Sequence, residues 1–174
     1  MPALTGPALC TALLLVFAGA MKVVDPAMTA GALRALRLPS SKPLVRVGAG
    51  AELVLGLLAV TVGWPVLWWL VAAGYLAFAG FVVAALRAGT MLGSCGCFGR
   101  EDTPPHPGHV VLNVALAATA VMAAVRDVGA PLDAIVDHPG EGAVVVGLSL
   151  LAVALLYATY VDLPKALTRR AQRT

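Results

Sequence analysis

Long apolar stretches dominate the pattern of hydrophobic and polar positions along the chain. They cover residues 7–24, 44–62, 65–86, 109–125 and 143–161. A helix needs about 20 residues, with roughly 17 as the lower limit, to cross a hydrocarbon core about 30 Å thick. Inside lipid a segment must also satisfy its own backbone hydrogen bonds, so runs of this length predict transmembrane helices. The pattern therefore predicts an all-α fold, a polytopic integral membrane bundle of four core transmembrane helices plus a fifth, C-terminal one, in a single membrane domain over residues 1–174.

The polar segments between these stretches predict how the helices connect. In the first, DPAMTAGALRALRLPSSKP, Asp25 and Pro26 end the first span. Leucines and arginines then alternate at helical spacing, as in a short amphipathic segment, so we expect residues 27–38 to lie on the bilayer surface. Residues 63–65, Gly-Trp-Pro, join the second and third spans, which must therefore be antiparallel neighbours.

The composition agrees with a membrane protein. Of the 174 residues, 60% are hydrophobic and 12% are charged, and the mean hydropathy of +0.90 is well above that of soluble domains. The formal charge of +3 is small and scattered, which argues against nucleic-acid binding. The first apolar run lacks a basic segment before it and a small-residue cleavage site after it, so we expect a retained helix instead of a signal peptide.

The distribution of basic residues predicts an orientation. Segment 22–46 has five Lys and Arg residues, loop 87–108 has two and the C-terminal tail has four, whereas Arg126 alone lies on the opposite side. By the positive-inside rule, we expect a multi-pass protein of the cell membrane with the N-terminus outside and the C-terminus cytoplasmic. The 87–108 loop then faces the cytoplasm.

That loop contains the sequence GSCGCFGR, in which Cys95 and Cys97 flank one glycine. The glycine lets the backbone turn so that the two sulfurs can close a small, strained disulfide ring. Strain makes such a bond easy to reduce, which suits a labile redox pair. Two other interpretations stay open. The cysteines could be small apolar residues in a tight interfacial turn, or they could bind a metal ion together with His106 and His109.

Glu52 is the polar outlier within the second span, roughly 12 Å from its start. A carboxylate at this depth is costly and marks a candidate functional residue, for which Lys22 near the end of the first span is the expected partner. Either a proton relay or a packing role, as an ion pair or a neutral hydrogen-bonded carboxyl, would explain it. Asn113 in the fourth span could likewise be an interhelical hydrogen-bonding residue. We expect Lys22, Glu52, Asn113 and His109 to form a polar pocket under the cysteine loop.

Cys10 is the third cysteine and lies near the other end of the first span. Most of the bilayer therefore separates it from the cysteine pair. We expect it to be a small buried residue and not a partner in a disulfide.

Four sequence features extend over roughly residues 10–125. They are FAGAMKVVDP at the end of the first span, the acidic residue in GAGAELVLGLLAV, CGCFG after the third span and the Asn in HVVLNVAL. Together they resemble the MauE family of methylamine-utilisation membrane proteins, within the wider DoxX-like group, which is similar in design to four-helix thiol-redox membrane proteins. By this resemblance, Cys95 and Cys97 are the redox pair, and Lys22, Glu52 and Asn113 line the bundle.

The resemblance implies thiol-redox exchange with a thioredoxin-like partner, in support of the maturation of disulfide-containing extracytoplasmic client proteins such as methylamine dehydrogenase. A quinone could be the far electron carrier. Two rival functions remain: a non-catalytic scaffold or chaperone of a maturation complex, and a metal-handling membrane protein that uses the two cysteines and two histidines of the loop.

Two features depart from the family pattern. Leu112 stands where family members often carry an Arg before the Asn, so this chain lacks the side chain for the corresponding charge contact. The basic residues also place the cysteine pair on the cytoplasmic side, which does not fit an outward-facing disulfide oxidase. Either electrons cross the membrane from a cytoplasmic donor, or the predicted orientation is wrong.

Overall fold

The computed structural model describes residues 3–88 and 105–171, with side chains as far as Tyr160. Within these ranges every regular element is a helix. The helices are α1 (Thr5–Val24), α2 (Ala27–Ala35), α3 (Lys42–Thr61), α4 (Pro65–Arg87), α5 (Pro107–Val125), α6 (Pro131–Asp137) and α7 (Pro139–Ala171). Among the described residues, α1, α3, α4, α5 and the first 22 residues of α7 are long and apolar enough to cross a membrane. The predicted all-α membrane bundle with five spans is confirmed.

Prolines and capping side chains fix where the spans begin, because a helix start leaves N–H groups unbonded. Pro65 and Pro107 occupy the first turns of α4 and α5, where the missing N–H of proline costs nothing. The Ser41 hydroxyl caps α3 by accepting from the Leu44 N–H at 3.4 Å. The predicted spans and the observed helices therefore agree to within about one turn, except that α7 continues to Ala171.

The two segments between spans differ in how well the sequence predicted them. The sequence predicts an amphipathic surface segment over residues 27–38, and α2 occupies most of that range. It ends at Ala35, shortly before Arg37 takes a left-handed φ of 57° that an α-helix cannot continue through. The short helix α6 was not predicted, because the acidic segment around it lacks a helical hydrophobic period.

The most buried span, α1, is the centre of the bundle. It packs most extensively against α3 and also contacts α5 and α7, while α4 packs along α5. The buried core is rich in alanine and leucine of α1, alanine of α5 and the aromatic residues Trp68 and Tyr75 of α4. Small residues at these interfaces let the helix backbones approach closely, which is how membrane helices gain packing contacts when lipid competes for apolar surface.

We expect Gly56→Ala to destabilise the α1–α3 interface by about 1–3 kcal/mol, the range for overpacking a tight contact. A Cβ atom on Gly56 would lie 2.6 Å from Val16 Cγ2 and 2.9 Å from the Ala12 carbonyl oxygen. Gly50→Ala is the matched control in the same helix, since a Cβ there meets nothing within 4 Å. The free energy of unfolding in mixed detergent micelles should fall for Gly56→Ala and stay equal or rise for Gly50→Ala. Equal effects at both positions would contradict this account.

The alternation of helix directions brings the predicted site residues to one end of the bundle. The end of α1, the start of α3, the end of α4 and the start of α5 all lie where residues 88–106 connect α4 to α5. We call this the loop end. The last turns of the α7 span reach it too, because α7 starts at the opposite end and runs the length of the bundle.

Candidate functional site at the loop end

Lys22 and Glu52 form an ion pair between α1 and α3, the partnership predicted from the sequence. Lys22 Nζ contacts Glu52 Oε2, and the two side chains are 4% and 22% exposed. The two side chains can meet because α1 and α3 approach each other closely. A Cβ on Gly19, less than one turn before Lys22, would lie 2.7 Å from a backbone oxygen of α3, so only glycine allows this spacing. Lys22 is thus a buried cation with its counter-charge supplied by the neighbouring helix.

Phe78 of α4 links this pair to the rest of the site. The Lys22 ammonium lies 4.4 Å from the centroid of the Phe78 ring, within the range of a cation–π contact. The same ring borders a small cavity of about 20 Å³ that is also lined by Tyr75, Asn113 and Tyr160. That volume is enough for about one water molecule. Phe78 therefore separates the charged pair from the polar residues of α5.

Asn113 is buried, and its Nδ2 donates to the His109 carbonyl oxygen at 2.7 Å, one turn earlier in α5. This bond lies within one helix, so it is not the interhelical contact considered from the sequence. The side chain nevertheless faces the small cavity beside Phe78. Asn113 thus brings a polar group of α5 close to the aromatic partner of Lys22.

His109 connects α5 to α7. Its ring is 1% exposed, and Nε2 lies 3.0 Å from the Tyr160 carbonyl oxygen. A carbonyl oxygen only accepts hydrogen bonds, so Nε2 carries the proton in this contact. The two rings are stacked, with centroids 5.2 Å apart and an interplanar angle of 23°.

The sequence of α7 explains why the Tyr160 carbonyl needs a donor from outside its helix. In an α-helix this oxygen would accept from the N–H four residues later. That residue is Pro164, which has no N–H. His109 supplies the donor that the proline removes, and this fixes the position of α7 at the loop end.

His106, the other histidine of the metal hypothesis, caps the start of α5. Its Nδ1 accepts from the Gly108 N–H at 3.0 Å, and its ring centroid lies 6.3 Å from that of His109. Each ring therefore has one nitrogen engaged with the protein. Over the described ranges, no three His, Cys, Asp or Glu side chains gather in a way that could hold a metal ion. Cys95 and Cys97 lie outside the described residues, so the metal hypothesis stays untested.

Cys10 is the described cysteine, and it is a buried free thiol in the first half of α1, as predicted. The loop end lies at the other terminus of the same helix. The structure thus brings together Lys22 with Glu52 and places Asn113 and His109 nearby, while Cys10 stays apart.

Sequence reasoning missed two aromatic residues of the site. The sequence does not single out Phe78, because an aromatic residue in an apolar span can face either the lipid or the interior of the bundle. Tyr160 did have a signal in the sequence, since the residue four positions later is a proline, which lacks the N–H that would bond to the Tyr160 carbonyl oxygen. A polar partner from another helix could have been sought on that basis.

The comparisons with known proteins give one match. A family model described as Methylamine utilisation protein MauE matches residues 2–126. No curated protein and no solved structure matches the chain. The matched range covers α1 to α5 with both members of the ion pair, His109, Asn113 and the cysteine loop. It ends before α6 and α7.

Proposed function

Because this chain belongs to the MauE family of methylamine utilisation proteins, we propose that it is a membrane thiol-disulfide oxidoreductase that acts through Cys95 and Cys97. It exchanges electrons with a thioredoxin-like protein and so supports the maturation of disulfide-containing extracytoplasmic proteins. The chain is a multi-pass membrane protein. We further propose that it lies in the cell membrane with its N-terminus outside and its C-terminus in the cytoplasm, as the positive-inside rule predicts.

The observation that carries the proposal is the convergence of buried polar groups at the loop end. The Lys22–Glu52 pair, Asn113 and His109 all lie in the half of the bundle from which the cysteine loop emerges. Charged groups inside a membrane bundle are costly and typically serve a transported or transferred proton, ion or ligand. A thiol pair that exchanges electrons also exchanges protons, so nearby groups that hold or release a proton suit this chemistry.

The exchange itself has two steps. One thiolate of the Cys95–Cys97 pair attacks a disulfide of the partner, which forms a mixed disulfide and releases one partner thiolate. The second cysteine then attacks the sulfur of the first, which releases the other partner thiolate and leaves a Cys95–Cys97 disulfide. The partner gains two electrons and the pair loses two, and the reverse sequence uses the same bonds.

We expect single serine variants to trap this intermediate. In a Cys10→Ser background, removing the resolving cysteine should leave a stable mixed disulfide with a thioredoxin-like protein, visible on a non-reducing gel and lost with reductant. The two variants Cys95→Ser and Cys97→Ser are made separately, so the one that accumulates the adduct identifies the attacking cysteine. The Cys10→Ser parent should exchange at the rate of the unmodified protein.

The double variant Cys95→Ser/Cys97→Ser separates this proposal from its rivals. Normal client maturation in that variant would mean that the protein is a scaffold and that the cysteines are structural. Bound zinc, copper or iron in the reduced parent, lost in the double variant, would favour metal handling. Labelling of the pair in intact cells by a membrane-impermeant maleimide only after mild reduction would place a disulfide outside and reverse the proposed orientation.

A further inference from the structure

An open cavity of about 290 Å³ lies beside the Lys22–Glu52 pair, between α2, α3 and α4. Lys22, Glu52 and Thr29 provide its polar side chains, and the rest of the lining is aliphatic or aromatic, including Phe78 and Phe81. Small-molecule sites are typically apolar clefts of this size with a few converging polar groups.

The mouth of the cavity lies on the lipid-facing surface of the bundle. Leu44 at its rim is 50% exposed, and Gly48 and Ala77 are exposed beside it. All three belong to helices long and apolar enough to span the membrane. Lys22 and Ala49 are buried behind this rim. A molecule that enters the cavity therefore comes from the hydrocarbon and meets a charged pair at the far end.

The polar groups define what such a molecule must carry. An ammonium group has three N–H donors, and the Glu52 carboxylate together with the Phe78 ring face engages at most two of them. A donor therefore remains for an oxygen of the ligand, while the carboxylate can accept from a ligand hydroxyl. Aromatic residues on one wall and the glycine and alanine positions of α3 on another suit a flat ring.

We propose that this cavity binds the ring of an isoprenoid quinone dissolved in the membrane. Lys22 donates to a ring carbonyl oxygen, and Glu52 accepts from the hydroxyl of the reduced ring. Phe81 lies six residues before the end of α4 at Arg87, about 9 Å along the helix, so the cavity opens at the loop end of the bundle.

The electron source in this proposal is the thiol exchange proposed above. Two thiols, Cys95 and Cys97, lose two electrons and two protons and join through a new S–S bond. The quinone gains the two electrons and two protons and becomes a quinol. Running the reaction backwards reduces the disulfide with quinol, so the balance holds whichever way electrons flow across the membrane.

Binding is tested with decylubiquinone and a photoactivatable azido derivative of it, on the full chain in phospholipid nanodiscs. We expect the azidoquinone to label α3 or α4 next to the cavity, and excess decylubiquinone to prevent the labelling. Gly48→Leu should weaken decylubiquinone binding about tenfold or more, because the added side chain occupies the space at the mouth. A Cβ on Gly48 meets nothing within 4 Å, so the leucine side chain starts into open space beside the cavity.

Gly50→Leu is the matched control, since it adds the same side chain to the same helix outside the cavity lining, and a Cβ there also meets nothing within 4 Å. It should bind as the unmodified protein does. Unchanged binding in Gly48→Leu, no saturable binding, or labelling confined to α5 and α7 would overturn the proposed site. The Cys95→Ser/Cys97→Ser variant distinguishes the two proposals. It should bind decylubiquinone normally but form no quinol. If the unmodified protein also binds decylubiquinone but forms no quinol, the proposed thiol exchange is wrong and the proposed binding site stands.

Discussion

Glu52→Gln should lower the free energy of unfolding by about 3–5 kcal/mol, the usual cost of removing one partner from a buried ion pair. The substitution keeps the size of the side chain but leaves the Lys22 ammonium, only 4% exposed, without a counter-charge inside an apolar bundle. The Phe78 ring still contacts the Lys22 cation, but a cation–π contact is worth only about 0.5–2 kcal/mol. Reversible unfolding in mixed detergent micelles measures the loss.

A double variant tests whether the loss comes from the stranded charge. Lys22→Met/Glu52→Gln removes both charges, and paired removal of this kind is often neutral or stabilising. It should therefore recover most of the stability that Glu52→Gln alone loses. If the pair also serves thiol exchange, the double variant should be stable yet slow in mixed-disulfide turnover. Full exchange in this variant and in Asn113→Ala would show that the polar groups only pack the helices.

His109→Phe is expected to cost about 2–3 kcal/mol, because the Tyr160 carbonyl oxygen loses its donor where water is scarce. Phenylalanine keeps a flat ring for stacking on Tyr160 and removes both ring nitrogens, including the Nε2–H donor. The measurement is the same unfolding free energy, together with the exposure of a cysteine introduced on the loop-end half of α7 to a thiol reagent. We expect that cysteine to react faster in the variant, since α7 is less firmly held.

The prediction for His109→Phe is tested most directly in a protein that also carries Pro164→Ala. Alanine restores an N–H four residues after Tyr160, so α7 can satisfy that carbonyl within its own helix. The cost of His109→Phe should then fall by about 1–2 kcal/mol in the Pro164→Ala protein, which is a coupling energy between residues on different helices. Independent, additive effects would mean that the histidine and the proline do not share this oxygen.

The hydrophobic pattern was sufficient to predict the positions of the membrane spans, because a membrane helix is recognised by its length and apolarity. The pairing of Lys22 with Glu52 could also be predicted, since two charges of opposite sign in neighbouring apolar spans have few other partners. The cavity beside them could not be predicted. The cavity depends on the distances from α3 to α2 and α4. Apolar residues such as Ala77 and Phe78 are equally compatible with close and with wide helix spacing, so the sequence does not indicate these distances.

Aromatic residues show the same limit. Trp64, Trp68 and Trp69 cluster at the turn between α3 and α4, a pattern typical of an aromatic belt at the membrane interface. Trp64 and Trp69 are exposed as a belt requires, but Trp68 is fully buried in the core. One residue of difference along a helix rotates a side chain by about 100°, so burial is decided by the neighbouring helices and not by the local sequence.

The central position of α1 matters for how the protein is made. It is the most buried of the described spans, yet it is synthesised before α3, its main partner, and α2 lies between the two. During synthesis, Lys22 therefore reaches the bilayer before Glu52 is present to neutralise its charge. The free-energy cost of this unpaired charge is limited because a lysine close to the helix end can extend its ammonium group towards the lipid headgroups. We expect membrane insertion to be completed in two stages, with α1 held at the insertion machinery until α3 arrives to neutralise it.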